Sequence, residues 1–304
     1  MRSDQELNDT QGTGSSSGKQ YMGYMAADVE SAMDPTTTIP NWMELLDIYT
    51  EPNAAALKAG PPATFSYADH ERGSLDLYRN GLSPGAPALV MFHGGGFALM
   101  GKEDMAFAAP TFNAAGIAYI APGYPLVPGV RLPELLSYCQ RAVKWIYENA
   151  ETLGIDRDRI YISGGSAGGF ITAYLLTTDW RSFGLPERPF RGGMPLNGIF
   201  DIEPMMLSPR WSHVDVHDDE IRPHSPIHRL DKLTTPLFVA WAENEPPIFA
   251  LSCEQFSEAA RERGLLFDRH VAQGKNHFTM FLDIKDPQSL LFRKFAELIL
   301  TDRP

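Results

Sequence analysis

A serine flanked by glycines, between an apolar run and a helix-like run, constrains this sequence more than any other feature. The motif is Gly-x-Ser-x-Gly at Gly164, Ser166 and Gly168, after residues 160–162 and before residues 171–176. A strand, a tight turn and a helix in this order leave the serine on a strained turn with its hydroxyl exposed. The first N–H groups of the helix then point at any negative charge that forms beside it. The motif predicts a nucleophilic Ser166, although a structural turn or a phosphate-binding turn fits these residues alone equally well.

Apolar runs and helix-like stretches alternate through most of the chain. Five runs predict buried strands: 88–92, 117–121, 159–163, 191–196 and 236–241. Helices are predicted at 132–149 and 252–263, and the runs 64–68 and 74–78 predict an antiparallel hairpin ahead of them. This order indicates an α/β fold, with a mostly parallel, doubly wound sheet, helices on both faces and one antiparallel end. Active residues of such folds gather at the carboxyl ends of the strands.

Composition divides the chain into three parts. Residues 1–20 are polar and low in complexity, which predicts a disordered tail. Residues 21–60 predict an N-terminal helical segment, with an amphipathic helix at 42–49 that acts as a lid over a pocket or simply packs on the surface. Residues 61–304 form the α/β domain. Within it, a proline-rich stretch at about 202–235 is too long for a plain connection and predicts an insertion that covers the site.

Charge and cysteine content exclude several classes of function. The 26 Lys and Arg residues are outnumbered by 38 Asp and Glu, giving a net charge of −12, so we expect no nucleic-acid or membrane partner. Only Cys139 and Cys253 occur, both in helix-like stretches, which predicts packed free thiols and no disulfide framework. Residues 1–20 lack a secretory signal pattern and no apolar run reaches membrane-spanning length, so we expect a cytoplasmic protein.

A glycine-rich loop follows the predicted strand at 88–92. Its sequence is His-Gly-Gly-Gly-Phe at 93–97. Consecutive glycines allow the backbone to approach a substrate oxygen and aim N–H groups at it, as an oxyanion hole requires. The residue after the serine, Ala167, is expected to supply a further N–H group. A merely flexible loop is the alternative, but the position of this one after a buried strand near the serine favours the oxyanion hole.

Serine needs a base to take its proton, and that base needs an orienting carboxylate. His277 follows the predicted last strand, 266–271, whereas His270 lies inside that strand, so we predict His277 as the base. Two acids, Glu243 and Glu245, follow the strand at 236–241. We predict Glu245 as the partner of the histidine, with Glu243 bonding to nearby backbone N–H groups instead. Chain order is then serine, acid, histidine.

A second group of histidines and aspartates invites a metal-site interpretation. His213, Asp215 and His217 alternate along the chain, with His224 and His228 nearby. They fall in the predicted insertion among prolines and form no helical histidine pair, so we predict a solvated polar face and no metal. Asp201, past another strand end, either borders the pocket or stabilises a turn, and the turn role is favoured.

With these residues in hand, the chain from about residue 63 resembles the α/β-hydrolase superfamily. It is similar to the hormone-sensitive-lipase-like esterases in 94–97 and 164–169, and to the kynurenine formamidases (arylformamidases) in 197–201, 243–249 and 277–278. The resemblance implies Gly95, Gly96 and Ala167 as oxyanion donors and aligns the acid with Glu245. The chain departs from both branches at Gly165, where esterases tend to carry an acid and formamidases a histidine. It also departs at Gly96, where formamidases carry an aromatic residue, and follows the esterase pattern only loosely at 123–128.

The resulting hypothesis is a serine hydrolase that needs no cofactor and cleaves a small ester or activated amide through an acyl-enzyme. An N-formyl-aryl amidase is the nearer alternative, and a non-catalytic small-molecule binding protein on the same scaffold is the remoter one. The aromatic residues predicted to line the pocket are Phe97, Trp211, Phe249 and Phe278. The expected partner is the small-molecule substrate, and the sequence does not decide between a monomer and a homodimer.

Overall fold

The computed structural model describes residues 20–39, 44 and 47–301. Of the tail predicted for residues 1–20, only Gln20 falls within these ranges. Of the helix predicted at 42–49, residues 42, 43, 45 and 46 lie outside them. The predicted tail, and most of that helix, therefore remain predictions.

Among the described residues, an eight-stranded sheet runs through the α/β domain in the order β10-β9-β8-β7-β5-β6-β4-β3. The strands are β3 (Ala63–Ser66), β4 (Ser74–Tyr78), β5 (Ala86–Phe92), β6 (Ala118–Pro122), β7 (Ile155–Gly165), β8 (Gly192–Leu196), β9 (Leu237–Asn244) and β10 (Leu266–Asn276). A short ladder of β1 (Gln20–Tyr21) and β2 (Tyr24–Met25) precedes them. Strands β3 and β4 pair antiparallel to each other, and β4 pairs antiparallel to β6. All other pairs in the sheet are parallel, so the predicted fold class, including its antiparallel end, is confirmed.

Helices flank the sheet and connect its parallel strands. They are α1 (Ala26–Met33), α2 (Pro35–Thr38), α3 (Thr50–Ala59), α4 (Ala109–Ala114), α5 (Leu132–Glu148), α6 (Ala150–Leu153), α7 (Ala167–Leu176), α8 (Glu203–Met206), α9 (Asp218–His224), α10 (Pro247–Glu262) and α11 (Leu290–Leu300). Short 3₁₀ turns occupy Lys102–Ala108, Trp180–Phe183, Pro209–Trp211, Pro226–His228, Leu230–Lys232 and Phe281–Lys285. Within the described ranges, no helix is both long and apolar enough to cross a membrane.

The continuous apolar runs exist because the central strands are covered on both faces. In β5, Val90 and Phe92 pack into one hydrophobic cluster and Leu89 and Met91 into another. Alternate side chains of a strand point to opposite faces, so the two clusters are the two sides of the sheet. Cys139 and Cys253 are buried free thiols in α5 and α10, as predicted, and burial raises the pKa of both.

Two boundaries differ from the sequence prediction in ways that matter for the site. Helix α10 begins at Pro247, five residues before the predicted start at 252, because proline is well suited to the first helical turn, where its missing N–H costs nothing. Strand β10 continues to Asn276 and not to residue 271, by pairing with β9 across a register shift. His277 therefore follows directly after the last strand.

Two segments lie over the carboxyl edge of the sheet. Residues 202–235 connect β8 to β9 through α8, α9 and three 3₁₀ turns. At the N-terminal side, α1 packs on α10, and Asp34 caps α2 by accepting a hydrogen bond from the Thr36 backbone N–H at 2.8 Å. Both segments contribute residues to the cavity described below.

Candidate active site

Ser166 occupies a strained turn between β7 and α7. Its backbone has φ 57° and ψ −120°, a conformation that non-glycine residues rarely adopt. The flanking glycines are dictated by close backbone contacts: a Cβ on Gly164 would lie 2.4 Å from the Gly168 carbonyl oxygen, and one on Gly168 would lie 2.2 Å from the Phe92 carbonyl oxygen. The Ser166 N–H donates to the Leu196 carbonyl at 3.1 Å, tying the turn to the neighbouring strand. The predicted strand–turn–helix geometry is therefore present.

His277 and Glu245 complete a line of hydrogen-bonded groups with Ser166. The Ser166 Oγ lies 3.0 Å from His277 Nε2, and His277 Nδ1 lies 2.7 Å from Glu245 Oε2. The side chains of His277 and Glu245 are 4% and 0% exposed. The rings of Phe249 and Phe278 stand edge-on to the imidazole, with centroids 4.6 and 5.3 Å away. This arrangement excludes water around the imidazole and strengthens its electrostatic interaction with the carboxylate.

The two acids after β9 have different partners. Glu245 is buried and accepts from the Ala242 N–H through Oε1 at 3.3 Å, while its Oε2 faces His277. Glu243 is exposed, and its Oε2 accepts the Gly274 N–H at 2.8 Å. Glu245, the acid predicted from the sequence, therefore lies against the histidine, and Glu243 bonds to a backbone N–H group, as the sequence also predicted.

The loop after β5 presents N–H groups next to Ser166. Gly95 and Gly96 have φ values of 96° and 59°, and a Cβ on Gly95 would lie 2.3 Å from the Leu99 carbonyl oxygen. The Gly95 carbonyl accepts the N–H groups of Ala98 and Leu99. The N–H groups of Gly95 and Gly96 have no acceptor within the described part of the chain. Ala167 is the first residue of α7, so its N–H is one of the unpaired donors of a helix N-terminus. All three donors can serve a developing oxyanion.

His93, the first residue of this loop, holds the loop in place through buried contacts. It is fully buried, stacks on Tyr124 with ring centroids 4.0 Å apart, and its Nδ1 lies 2.9 Å from the Gly94 carbonyl oxygen. The Tyr124 hydroxyl donates to the His93 carbonyl at 2.6 Å. Burial lowers the pKa of His93 to about 3, so its imidazole is neutral at physiological pH. His93 is therefore a neutral support for the loop.

A cavity of about 440 Å³ opens onto Ser166. Three of the four aromatic residues predicted for the pocket, Trp211, Phe249 and Phe278, are among its lining residues. Phe97 is not, and that prediction is wrong. Its φ of 65° turns the side chain into the core, where it is fully buried and packs edge-on against Phe170 at 5.5 Å, beneath Trp211.

Sequence reasoning missed several residues of this cavity. The segments before β3 contribute Pro35, Thr36 and Tyr49, the loop after β5 contributes Ala98, Leu99, Met100 and Met105, and the chain beyond contributes Asn197, Arg210, His213 and Phe281. Asn197 directly follows β8, and its place at the carboxyl end of a strand beside the serine strand was the one available signal. The others come from segments whose course no local motif predicts.

Gly165 has a steric explanation. A Cβ at this position would lie 2.9 Å from Cδ2 of Phe281 and 3.3 Å from Oδ1 of Asn197. Phe281 is almost fully buried and also lines the cavity. The aromatic ring therefore fills the space that a side chain at position 165 would need, which accounts for the departure from both resembled branches.

The histidines of the 202–235 segment are dispersed. His213 lines the cavity with its Nε2 3.3 Å from the Gly96 carbonyl oxygen, and His224 stacks on Tyr174. His228 lies 3.6 Å from Asp201, whose Oδ1 accepts from the Glu203 N–H and the Ser225 hydroxyl. Asp201 thus stabilises a turn outside the cavity lining. Across the described residues, no group of three or more His, Cys, Asp and Glu side chains could hold a metal ion.

The mostly parallel sheet, with a serine, a carboxylate and a histidine at the carboxyl ends of β7, β9 and β10, defines an α/β hydrolase. Comparison with known families refines this class. The model of the prolyl oligopeptidase family matches residues 139–292, about half of the chain, and the chain belongs to that family. A second model, described as BD-FAE, matches residues 75–183.

Individual relatives agree with this placement. Kynurenine formamidase from Danio rerio is 24% identical over 239 residues, covering 77% of this chain and 80% of its own length. Esterase LipQ from Mycobacterium tuberculosis is 28% identical over 210 residues, 62% of this chain and 50% of that protein. A structure from Silicibacter sp. TM1040, designated a thioesterase, superposes with a TM-score of 0.77 over 90% of this chain and 98% of its own, at 21% identity, which shows a shared fold. The predicted resemblance to esterases and formamidases is confirmed, and so is the prediction of a hydrolase.

Proposed function

We propose that this hydrolase cleaves a carboxylic ester or activated amide of a small molecule through an acyl-enzyme formed on Ser166. The observation that carries the proposal is the continuous chain of contacts from Ser166 Oγ to His277 Nε2 at 3.0 Å and from His277 Nδ1 to Glu245 Oε2 at 2.7 Å. A serine, a base and a buried orienting acid in this relation form a general-base-activated nucleophile.

The geometry supports a two-step reaction. His277 takes the hydroxyl proton as Ser166 Oγ attacks the substrate carbonyl carbon, and the N–H groups of Gly95, Gly96 and Ala167 stabilise the oxyanion. The imidazolium, held by Glu245, returns the proton to the leaving alcohol or amine. Water then attacks the acyl-enzyme with His277 again as base, releasing the acid and regenerating Ser166.

A matched pair of serines tests the nucleophile. Ser166→Ala is expected to reduce kcat on p-nitrophenyl acetate by at least about 10⁴-fold and to abolish labelling by a fluorophosphonate probe. Ser163 lies on β7, three residues before Ser166, is fully buried, and donates to the Met194 carbonyl at 2.6 Å, so Ser163→Ala controls for the loss of a nearby hydroxyl. Full turnover by Ser166→Ala, or absence of probe labelling in the folded protein, refutes the proposal.

A formamide is the second candidate for the scissile group. It is favoured by the kynurenine formamidase from Danio rerio, whose match extends over 77% of this chain. The aromatic lining formed by Trp211, Phe249 and Phe278 suits an aryl group as the substrate body. The ratio of kcat/KM for N-formylkynurenine to that for p-nitrophenyl acetate distinguishes the candidates. A ratio well above one assigns the protein to formamides, and a ratio well below one assigns it to esters.

We also propose that residues 202–235 act as a cap and residues 21–60 as a lid on the domain formed by residues 61–304. Arg210 and His213 of the cap and Pro35 and Thr36 of the lid line the same cavity. The two segments are joined by an ion pair, with Arg210 Nη1 2.5 Å from Asp34 Oδ2. Replacing either partner of this ion pair is expected to raise KM and to leave kcat nearly unchanged.

A further inference from the structure

Asn197 lies between the nucleophile and the loop that carries the base. Its side-chain Oδ1 accepts the Ser166 backbone N–H at 3.1 Å, and its Nδ2 donates to the His277 carbonyl oxygen at 2.9 Å. The same Nδ2 lies 3.3 Å from His277 Nδ1. One amide group therefore contacts the main chain of both residues that would exchange a proton, across a sequence separation of 80 residues on one side and 31 on the other.

The hydrogen-bonding partners fix the orientation of this amide. The Ser166 N–H is a donor and needs an oxygen, and the His277 carbonyl is an acceptor and needs an NH₂ group. Only an amide satisfies both at once in this space, since a carboxylate lacks the donor and an aliphatic side chain lacks both. Asn197 is only 1% exposed, and the Ser166 N–H is shared between its Oδ1 and the Leu196 carbonyl. Loss of the amide is therefore costly mainly at the His277 carbonyl, which would lose a buried donor.

The backbone at Asn197 is itself unusual. Its φ of 33° is positive, a conformation that asparagine tolerates better than most side chains. The Asn197 N–H donates to the Ala240 carbonyl of β9 at 2.8 Å, which holds the residue at the strand end. Two strained residues, Ser166 and Asn197, thus lie side by side and are joined by a hydrogen bond. Backbone strain of this kind persists only where the surrounding structure enforces it.

We propose that Asn197 is a positioning residue that sets the distance between Ser166 Oγ and His277 Nε2 by bonding the serine turn to the histidine loop. This role rests on the proposed function of Ser166 and His277. Other hydrogen bonds hold the histidine loop without reaching the serine turn: Asn276 Oδ1 accepts the Phe278 and Thr279 N–H groups, the Tyr49 hydroxyl donates to the Phe278 carbonyl, and Glu245 Oε2 holds His277 Nδ1. They shape the loop, whereas Asn197 ties it to the nucleophile.

Asn197→Ala removes both hydrogen bonds, and Asn113→Ala provides a matched control. Asn113 is also buried and also bridges main-chain groups, donating to the Tyr78 and Ile117 carbonyls and accepting the Asn80 N–H, all at 3.0 Å, but it lies outside the cavity lining. Asn197→Ala is expected to lower kcat by about 10²-fold, because misplacement of reacting groups by about 1 Å costs that much, with KM changed less than threefold. Asn113→Ala is expected to lower Tm and leave kcat per folded molecule unchanged.

Asn197→Asp separates positioning from general stability. Aspartate keeps the acceptor for the Ser166 N–H but places a carboxylate where Nδ2 lies 3.3 Å from His277 Nδ1. The donor to the His277 carbonyl is replaced by an acceptor, so the histidine loop is no longer tied to the serine turn at this point, and kcat is expected to fall about 10²-fold with KM changed less than threefold. A purely structural residue would lower Tm without this selective loss of kcat per folded molecule.

The outcomes are decisive in both directions. The proposal is overturned if Asn197→Ala keeps kcat within threefold of the native protein, if its loss lies in KM alone, or if Asn113→Ala loses as much kcat per folded molecule. Where Asn197→Ala does not fold, an Asn197→Asp variant with kcat within threefold of the native protein overturns it, and a loss of kcat per folded molecule with KM nearly unchanged supports it. A Ser166→Ala variant with native turnover refutes the proposed function instead, so the two failures are distinguishable.

Discussion

Replacing Glu245 by glutamine tests how the histidine is oriented, and the structure predicts which way the new amide will face. Glu245 Oε1 accepts the Ala242 backbone N–H at 3.3 Å, and Oε2 accepts from His277 Nδ1 at 2.7 Å. In Glu245→Gln the amide oxygen is expected to stay with the Ala242 N–H, because an NH₂ group there would face another donor. The NH₂ group then takes the place of Oε2 and donates to His277 Nδ1.

This exchange reverses the tautomer of the imidazole. With Nδ1 accepting, the ring proton moves to Nε2, 3.0 Å from Ser166 Oγ, and Nε2 can no longer accept the serine proton. Loss of the correct tautomer costs about 10⁴-fold in kcat in serine hydrolases whose geometry stays intact. That factor corresponds to about 5 kcal/mol of transition-state stabilisation. We expect a loss of this size at neutral pH, with KM nearly unchanged.

Glu243→Gln is the matched control, two residues away on the same strand end. Glu243 is exposed and accepts only the Gly274 N–H, a bond that a glutamine oxygen also makes, so kcat is expected to stay within twofold. Steady-state hydrolysis of p-nitrophenyl acetate gives kcat for both variants. Thermal melting shows the fraction of each variant that is folded at the assay temperature, and kcat is expressed per folded molecule. If Glu245→Gln retains more than a tenth of native kcat, or Glu243→Gln loses as much as Glu245→Gln, the assignment of the orienting acid is refuted.

Three further predictions concern packing, pH and closure of the cavity. Gly165→Ala places a Cβ 2.9 Å from Phe281, so urea denaturation should show that the free energy of unfolding falls by about 1–3 kcal/mol. In the double variant with Phe281→Ala, the added cost of Gly165→Ala should be smaller, because the clash is removed. Additive losses from the two substitutions contradict the steric explanation. Burial lowers the pKa of His93 from 6.5 to about 3, so between these pH values the imidazole is protonated in the unfolded state and neutral in the folded state. The free energy of unfolding therefore falls as the pH drops from 6.5 towards 3. His93→Gln should flatten urea-measured stability over this range by up to about 1.4 kcal/mol per pH unit, and an unchanged slope contradicts it. Asp34→Ala and Arg210→Ala should each raise KM by at most about fivefold, and the double variant should be no worse than either; additive increases would show that the pair does not act as one contact.

The chemistry of the site was readable from sequence because each reactive group belongs to a short local signal. Ser166 lies between glycines that the strand–turn–helix geometry requires, and the loop at Gly95 follows a strand whose apolar run is continuous. His277 and Glu245 each follow a strand end. Parallel strands bring their carboxyl ends to one edge, so the fold class alone was enough to predict that these groups meet.

Local sequence motifs do not predict where a side chain points when its backbone has a positive φ. Phe97 looked like a pocket residue because it ends the glycine loop, but its φ of 65° turns it into the core. Asn197 begins the 197–201 stretch that resembles the formamidases, but that stretch gave it no role, and only its positive φ in the folded chain shows an amide aimed between Ser166 and His277. Both conformations are set by the packing of neighbouring strands, which becomes visible only once the chain is folded.

The same difference exists between the groups proposed to react, which local sequence motifs predict, and the residues that line the cavity, which they do not. The groups proposed to react lie at the carboxyl ends of β7, β9 and β10, whereas the cavity wall is assembled from residues as distant in sequence as Thr36, Trp211 and Phe281. Phe281 illustrates the consequence, because its ring fills the space beside Gly165 and so replaces a side chain that the resembled branches carry at that position. Part of the cavity wall beside Ser166 is thus built from a segment that lies far from the serine in sequence. We therefore expect substrate preference in this hydrolase to depend on how the 202–235 segment and the N-terminal residues pack over the strand ends. Variants at Phe281 and Trp211 should alter this preference without altering the pH dependence of the reaction.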